Sequence, residues 1–268
     1  MKKEIATIIV LYNSLISESE AHQTLKNKNF DLFFVDNSTD ENILKQNKEY
    51  SEKNNVLYYP MGGNIGLSKA YNRIIKEIKK LDYNYLLISD DDTLYTKEFQ
   101  DLLVDEVNNN KYDLIVPTII DSRDGVVASP ILLTGIPLVP YNPKSKRPPK
   151  RINGINSGTC VKVKCFDNWQ FDEGIFLYFV DSDFYNNNVN ANKLTYKILD
   201  CTIKQNFAAS EDFDDSTIKL LQRVLDDGRQ YFRNKPLSEV QLAIYKFYLV
   251  KRLWFQHKDK RVFSLLWY

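Results

Sequence analysis

Short apolar runs punctuate the first hundred residues, and polar stretches with helical spacing lie between them. Ile5–Tyr12, Phe30–Val35, Val56–Tyr59 and Tyr85–Ser89 read as buried strands. Ser14–Asn27 reads as a helix. Leu67–Leu81 carries Leu67, Ala70, Tyr71, Ile74, Ile75 and Ile78 on one helical stripe. Strands alternating with helices predict βαβ units in a mostly parallel sheet, which binds ligands beyond the carboxyl ends of its strands. Farther along, Leu114–Pro117, Asn156–Val163 and Leu194–Ile198 read as strands, and the Pro- and Lys/Arg-rich stretch Pro137–Pro149 as a loop. Helical periodicity takes over after about Ser210. The expected fold class is therefore α/β: a mostly parallel central sheet flanked by helices over 1–210, and a helical C-terminal tail over 211–268.

Composition narrows the function classes. A chain 43% hydrophobic and 26% charged is ordinary for a globular domain, and a net charge of +1 gives no pull toward nucleic acid. Three cysteines without CxxC spacing suggest reduced thiols and a cytoplasmic setting. His22 and His257 are the only histidines and lie far apart, which disfavours a zinc site or a Ser-His-Asp hydrolase. The run Ile5–Tyr12 is short and lacks a small-residue cleavage site, so it reads as a first strand rather than a signal peptide. No stretch approaches the ~18 apolar residues that a transmembrane helix needs.

The sharpest chemical signal is Asp90-Asp91-Asp92 directly after an apolar run. Residues two apart on an extended segment project to the same side, so Asp90 and Asp92 could share a hard divalent cation, Mn²⁺ or Mg²⁺. A solvated acidic turn is the plainer alternative. A haloacid-dehalogenase-type phosphatase would want Thr where the chain has Leu94. The loop from Pro60 to Asn72 has glycines matching neither a dinucleotide fingerprint nor a phosphate loop, yet it leads into a helix whose N–H groups could meet an anion. Asp36 could accept hydrogen bonds from a base or ribose, or form a turn with Asn37-Ser38. The aromatic run Phe171–Asp183 ends in Asp181 and Asp183. A carboxylate beside apolar surface is a stronger base, although helix capping explains these two as well.

In order, these segments resemble the family 2 glycosyltransferases, inverting enzymes of GT-A fold, and in particular a bacterial rhamnosyltransferase-like branch. The resemblance covers about residues 5–210 and runs through Ile9–Asn13, Val35–Ser38, Gly63–Gly66 with Ala70 and Asn72, and Asp90-x-Asp92. It continues through Asn156-Ser157-Gly158, Phe171-Asp172-Glu173 and Asp181-x-Asp183, with Arg233-Asn234 in the tail. It implies a nucleotide-binding half over about 1–95 and an acceptor half over about 96–210. It implies a UDP- or dTDP-linked sugar donor, contacted by Tyr12, Asn13, Asp36, Asn64, Gly66, Asn72, Asp90 and Asp91, with the metal on Asp90 and Asp92. Asp181 becomes the catalytic base, and Ser157, Gly158, Glu173 and Asp183 face a glycan or lipid-linked acceptor, in bacterial surface polysaccharide synthesis. A non-catalytic sugar-nucleotide- or glycan-binding module on the same fold is the alternative. The chain departs from the family at Val180, where Glu is frequent, at Asn187 in place of Arg, and at Lys204-Gln205, where many members supply a histidine.

The tail adds a partner. Leu242, Tyr245, Leu249 and Leu253, then Phe263, Leu266 and Trp267, form helical apolar faces among Lys246, Lys251, Arg252, Lys258, Lys260 and Arg261. Such a tail suits either peripheral contact with the inner face of the cell membrane or a homodimer through the C-terminal helices. Of the two, the last dozen residues fit the membrane better, and the segment before Leu253 fits internal packing or a second subunit.

Overall fold

In the first strand, alternate side chains go to opposite faces of the sheet. Ala6 and Ile8 enter one core, while Ile5, Ile9 and Leu11 enter the other. The same sorting recurs in the computed structural model at Phe33 and Val35 against Phe30 and Phe34, and at Leu86 and Ile88 against Tyr85 and Leu87. A continuous apolar run is what a strand buried on both faces requires. The structure describes residues 5–134, 149–206, 215–233 and 235–268. All but Pro149 of the expected loop, and Asn234, lie outside them.

The elements are β1 (Ile5–Leu11), α1 (Glu20–Leu25), β2 (Phe30–Asp36), α2 (Glu41–Asn54), β3 (Leu57–Pro60), α3 (Leu67–Ile78), β4 (Tyr85–Asp90) and α4 (Lys97–Asn109). There follow β5 (Leu114–Asp121), β6 (Val127–Ser129), β7 (Ile131–Leu133), β8 (Arg151–Asn153), β9 (Thr159–Lys162), α5 (Val180–Asp183), β10 (Tyr196–Gln205), α6 (Asp215–Phe232) and α7 (Ser238–His257). The main sheet runs β3-β2-β1-β4-β9-β5-β10, with β6 beside β5. Strands β1 to β4 pair in parallel, β9 enters antiparallel between β4 and β5, and β10 runs parallel to β5. As a result, the ends of β1, β2, β4 and β10 and the start of β9 all reach one edge of the sheet.

The helical stripe of α3 buries Ala70, Tyr71, Ile74, Ile75 and Ile78 against that sheet. Each buried isoleucine contributes ~1.5–3 kcal/mol. The helix expected over Ser14–Asn27 is broken into a 3₁₀ turn, Ile16–Glu18, and the short α1. Ser19 interrupts it: extended at φ −62°, ψ 119°, its hydroxyl accepts the His22 N–H as an N-cap. The same hydroxyl donates to the Asp91 carbonyl at 2.9 Å, which ties this break to the acidic strand end.

The tail is helical, as its periodicity predicts, and it folds back. Leu221 and Leu225 of α6, Val250 and Leu253 of α7, and Val262 and Leu265 of the closing 3₁₀ segment Lys260–Leu266 form a core of their own. The opposite face of α7 is different: Val240, Ile244, Phe247, Tyr248, Lys251 and Phe255 are all exposed. Among the described residues, no helix is long and apolar enough to cross a membrane.

Candidate active site

At the end of β1, Asn13 takes a left-handed conformation, φ 52°, which asparagine tolerates. Its Oδ1 accepts the N–H groups of Thr39 (2.9 Å) and Asp40 (3.1 Å), and its own N–H donates to Ser38 Oγ at 2.8 Å. Asn13 thereby fastens the loop after β2, while the neighbouring Tyr12 ring stands exposed. Asp36 lies beneath that loop, fully buried. Its Oδ1 accepts the Ser38 N–H at 3.0 Å, and its Oδ2 accepts from Asn47 Nδ2 at 2.9 Å and the Tyr58 hydroxyl at 2.7 Å. Three donors surround this carboxylate from within the fold.

The next residue links two loops. Asn37 Nδ2 donates to Asn64 Oδ1 at 2.9 Å, and Asn37 Oδ1 accepts the Ile65 N–H at 3.0 Å. Asn64 Oδ1 also accepts the Gly66 N–H. Gly66, at φ +90°, precedes α3 and lies under Phe176, where an added Cβ would come within 2.8 Å of the ring. Only glycine combines that backbone with that approach. Six residues on, Asn72 reaches away from this loop: it exchanges hydrogen bonds with the Phe171 backbone and donates to Glu173 Oε1 at 3.2 Å. Asn72 and Glu173 thus staple α3 to the segment ahead of Asp181.

The acidic run closes β4. The Asp90 N–H donates to Ser157 Oγ at 3.1 Å, Ser157 Oγ pairs with Thr93 Oγ1 at 2.8 Å, and the Gly158 N–H donates to the Ile88 carbonyl. From the end of β10, Gln205 Nε2 donates to Asp90 Oδ2 at 3.3 Å. Burial and then the neighbouring Asp92 push the Asp90 carboxyl up to about 6, against the hydrogen bonds from Gln205 and Ser157. Burial and then Asp91 raise the more exposed Asp92. Among the described residues no three His, Cys, Asp or Glu side chains form a metal cage. The set does fit a hard ion that takes two carboxylates and completes its shell with phosphates, because a cation offsets both the burial and the like-charge repulsion that lift these groups.

Asp181 stands across the Asn156–Ser157 turn from Asp90. Its Oδ1 accepts the Asn156 N–H at 3.2 Å, and its other oxygen has no partner among the described residues. Burial first, and then the charge of Asp90, push its carboxyl up to about 7. Asp183 is built differently: buried, it accepts the Asp172 N–H at 3.0 Å and Asn187 Nδ2 at 2.7 Å. Of the two acids, Asp181 has the open oxygen.

The sequence model of Glycosyl transferase family 2 matches residues 2–172, more than half of the chain. The chain belongs to that family. No curated protein sequence matches it significantly. Solved structures similar to this family 2 chain share its GT-A fold at low identity. S. aureus TarS is 16% identical with a TM-score of 0.54, covering 95% of this chain and 44% of TarS. GalNAc-T7, solved with UDP, GalNAc and Mn²⁺, is 15% identical with a TM-score of 0.58, covering 78% of this chain and 44% of that one. The Pyrobaculum calidifontis mannosyltransferase PcManGT, in complex with GDP-Man and Mn²⁺, is 12% identical with a TM-score of 0.58, covering 91% of this chain and 70% of that one. This chain therefore spans less than half the length of full TarS.

Around the sheet edge the family 2 chain gathers Asp90, Asp91, Asp92, Ser157, Gly158 and Asp181, and beside them the two fastened loops bearing Tyr12, Asn13, Asn64 and Gly66. Asp36, Asn72, Glu173 and Asp183 support these segments from behind. Two of their partners had no signal in the sequence: Asn47 and Tyr58 reach Asp36 from α2 and β3. Asn156, from the Asn156-Ser157-Gly158 segment, lies beside Asp181 with both side-chain amide atoms buried and unpartnered among the described residues. Gln205, one of the two residues at which the sequence departs from the resemblance near the strand end, reaches the acidic strand end through its side-chain amide.

Proposed function

We propose that this chain is an inverting, metal-dependent glycosyltransferase. It moves a hexosyl or deoxyhexosyl group from a nucleoside diphosphate to a hydroxyl of a glycan or lipid-linked acceptor, in bacterial surface polysaccharide synthesis. The observation that carries the reading is the juxtaposition of Asp90 and Asp181 across Asn156–Ser157, one at the strand end and the other with an open oxygen. Similar structures were solved with UDP, UDP-GlcNAc or GDP-Man, which supports the donor class.

In this reading the acceptor oxygen attacks the anomeric carbon opposite the diphosphate. The new C–O bond forms as the bond to the phosphate oxygen breaks, and the configuration inverts. Asp181 takes the hydroxyl proton. A carboxylate pushed up to about 7 is a stronger base than an ordinary one and is still substantially ionised at neutral pH. Asp90 and Asp92 would hold Mn²⁺ or Mg²⁺, and that charge would offset the negative charge of the departing diphosphate. Tyr12 offers an exposed ring to the base, the Asn64–Gly66 loop lines the donor pocket, and Asp36 shapes the base and ribose end by holding the Asn37–Ser38 loop. Ser157 and Gly158 line the acceptor side.

The outward face of α7 belongs to the proposal as well. Val240, Ile244, Phe247, Tyr248 and Phe255 share it with Lys251, Arg252 flanks it, and no carboxylate lies within it. Apolar and basic together, this face suits an anionic membrane surface, where a lipid-linked acceptor would be found.

Incubating the protein with a panel of sugar nucleotides, with and without Mn²⁺, tests the activity. One donor should be consumed in a metal-dependent way, and its product should carry the opposite anomeric configuration. Metal-independent consumption, or retained configuration, contradicts the mechanism.

A further inference from the structure

The tail contributes more than its outer face. On α6, Asp227 is 1% exposed and its carboxylate accepts three consecutive backbone N–H groups: Phe176 at 2.8 Å on Oδ1, and Leu177 at 2.9 Å and Tyr178 at 2.8 Å on Oδ2. Three aligned amides make an anion-binding concavity, and here the anion is a side chain from another element. A buried charge is tolerated where hydrogen bonds satisfy it this fully.

The segment so held lies between the two working parts of the proposed site. On one side, the Phe176 carbonyl accepts the Leu67 N–H at 2.6 Å, and its ring covers Gly66 at the start of α3. On the other, Tyr178 leads through Phe179 into α5, which carries Asp181. Phe179 adopts φ +65°, a conformation that a bulky residue takes only when its surroundings impose it. Those surroundings come from the tail. Its ring packs on Tyr231 (5.1 Å), Phe232 (5.8 Å) and Tyr245 (5.1 Å), and Gly228 leaves room beneath it. Gln230, also from α6, donates to both oxygens of Asp172 at the start of the same segment.

We infer that Asp227 is a positioning residue: by holding the amides of residues 176–178 it sets Asp181 and the Gly66 loop in register with each other. The inference rests on the reading of Asp181 as the base. Helix α6 is then part of the active-site framework, and a protein cut before it would keep the sheet and lose the alignment of base and donor loop.

The test compares Asp227→Asn with the wild-type full chain in transfer kinetics, donor binding by calorimetry, and amide hydrogen exchange. Asparagine retains one acceptor oxygen and so loses at least one of the three bonds. Exchange at residues 176–178 should accelerate at least tenfold while β1 and β4 keep their protection. The rate at saturating donor and acceptor, per folded molecule, should fall about tenfold or more, with donor affinity changed less than threefold. If Asp227→Asn does not fold, Asp227→Glu carries the same test, because it keeps a carboxylate but displaces it by a methylene. Unchanged exchange at 176–178, or a kcat per folded molecule within twofold of wild type, overturns the proposal. An error in the base assignment would show separately, as near wild-type transfer by Asp181→Asn with the exchange result unaltered.

Discussion

Gln205 Nε2 donates to Asp90 Oδ2 at 3.3 Å, joining the end of β10 to the end of β4 across two intervening strands. The bond favours the charged form of Asp90 and opposes the effect of burial and of Asp92. The amide does with a neutral donor what a cation at this strand end would do with charge.

Replacing Gln205 by leucine should therefore weaken metal-dependent nucleotide binding. A hydrogen bond to a charged group is worth ~1.5–3 kcal/mol, so the expected loss is about tenfold or more. Calorimetric titration of the nucleotide in Mn²⁺ measures it. Unaltered affinity would mean that Asp90 does not depend on this strand end.

Gly66→Ala places a Cβ 2.8 Å from the Phe176 ring and 3.1 Å from its carbonyl oxygen, at φ +90°. The ring must move, and the strained backbone adds to the cost. Overpacking and strain of this kind cost ~1–3 kcal/mol, readable as a lower urea midpoint. Transfer should also fall, because the displaced ring belongs to the segment that leads to Asp181.

The Asp181 carboxyl sits at about 7 in the folded chain, above its ordinary value of 3.8. Folding thus favours its protonated form. The stability it contributes is fully present below about pH 4 and is lost as the pH rises through 7. Asp181→Asn has no such loss. In metal-free buffer its stability relative to wild type should rise between pH 4 and pH 8, by about 1–2 kcal/mol after allowance for solvent screening of a half-buried group. Urea unfolding at both pH values checks the sign. A constant difference between the two proteins would contradict it.

On α7, Phe247→Glu with Phe255→Glu should reduce binding to vesicles containing anionic lipid, and wild-type binding should weaken with salt. Each basic residue near such a surface is worth roughly 1 kcal/mol. Dimer dissociation in this variant, with no vesicle binding by wild type, would instead assign the face to a second subunit.

Much of this architecture was legible in the chain. Strands β1, β2 and β4 announce themselves because a strand buried on both faces must be apolar throughout, and the polar clusters at their ends follow from parallel pairing. Where one hydroxyl settles the outcome, periodicity misled: the pattern over Ser14–Asn27 is helical, yet Ser19 caps a new helix in its middle. β10 extends beyond its apolar start because Leu199, Cys201, Ile203 and Gln205 face inward while Asp200, Thr202 and Lys204 face out. That alternation carries the strand to the acidic edge. Asp227 gives no signal at all in the sequence, since its partners lie 49 to 51 residues upstream and are backbone amides. The Asp36 turn with Asn37-Ser38 was legible, and the Ser38 N–H does bond its carboxylate, but its Asn47 and Tyr58 donors and the contacts of Asn72 were not, because a motif names a residue and not the direction in which its side chain is spent.

The most direct test of the central claim compares Asp181→Asn with Asp183→Asn in sugar transfer, with donor affinity measured in parallel. Asp181 has an open oxygen beside Asp90, while both oxygens of Asp183 are engaged with Asp172 and Asn187. Loss of a general base costs on the order of 10²–10⁴ in rate. Asp181→Asn should lose that much, with donor binding within a few-fold of wild type. Substantial transfer by Asp181→Asn, with Asp183→Asn inactive but folded, would contradict it.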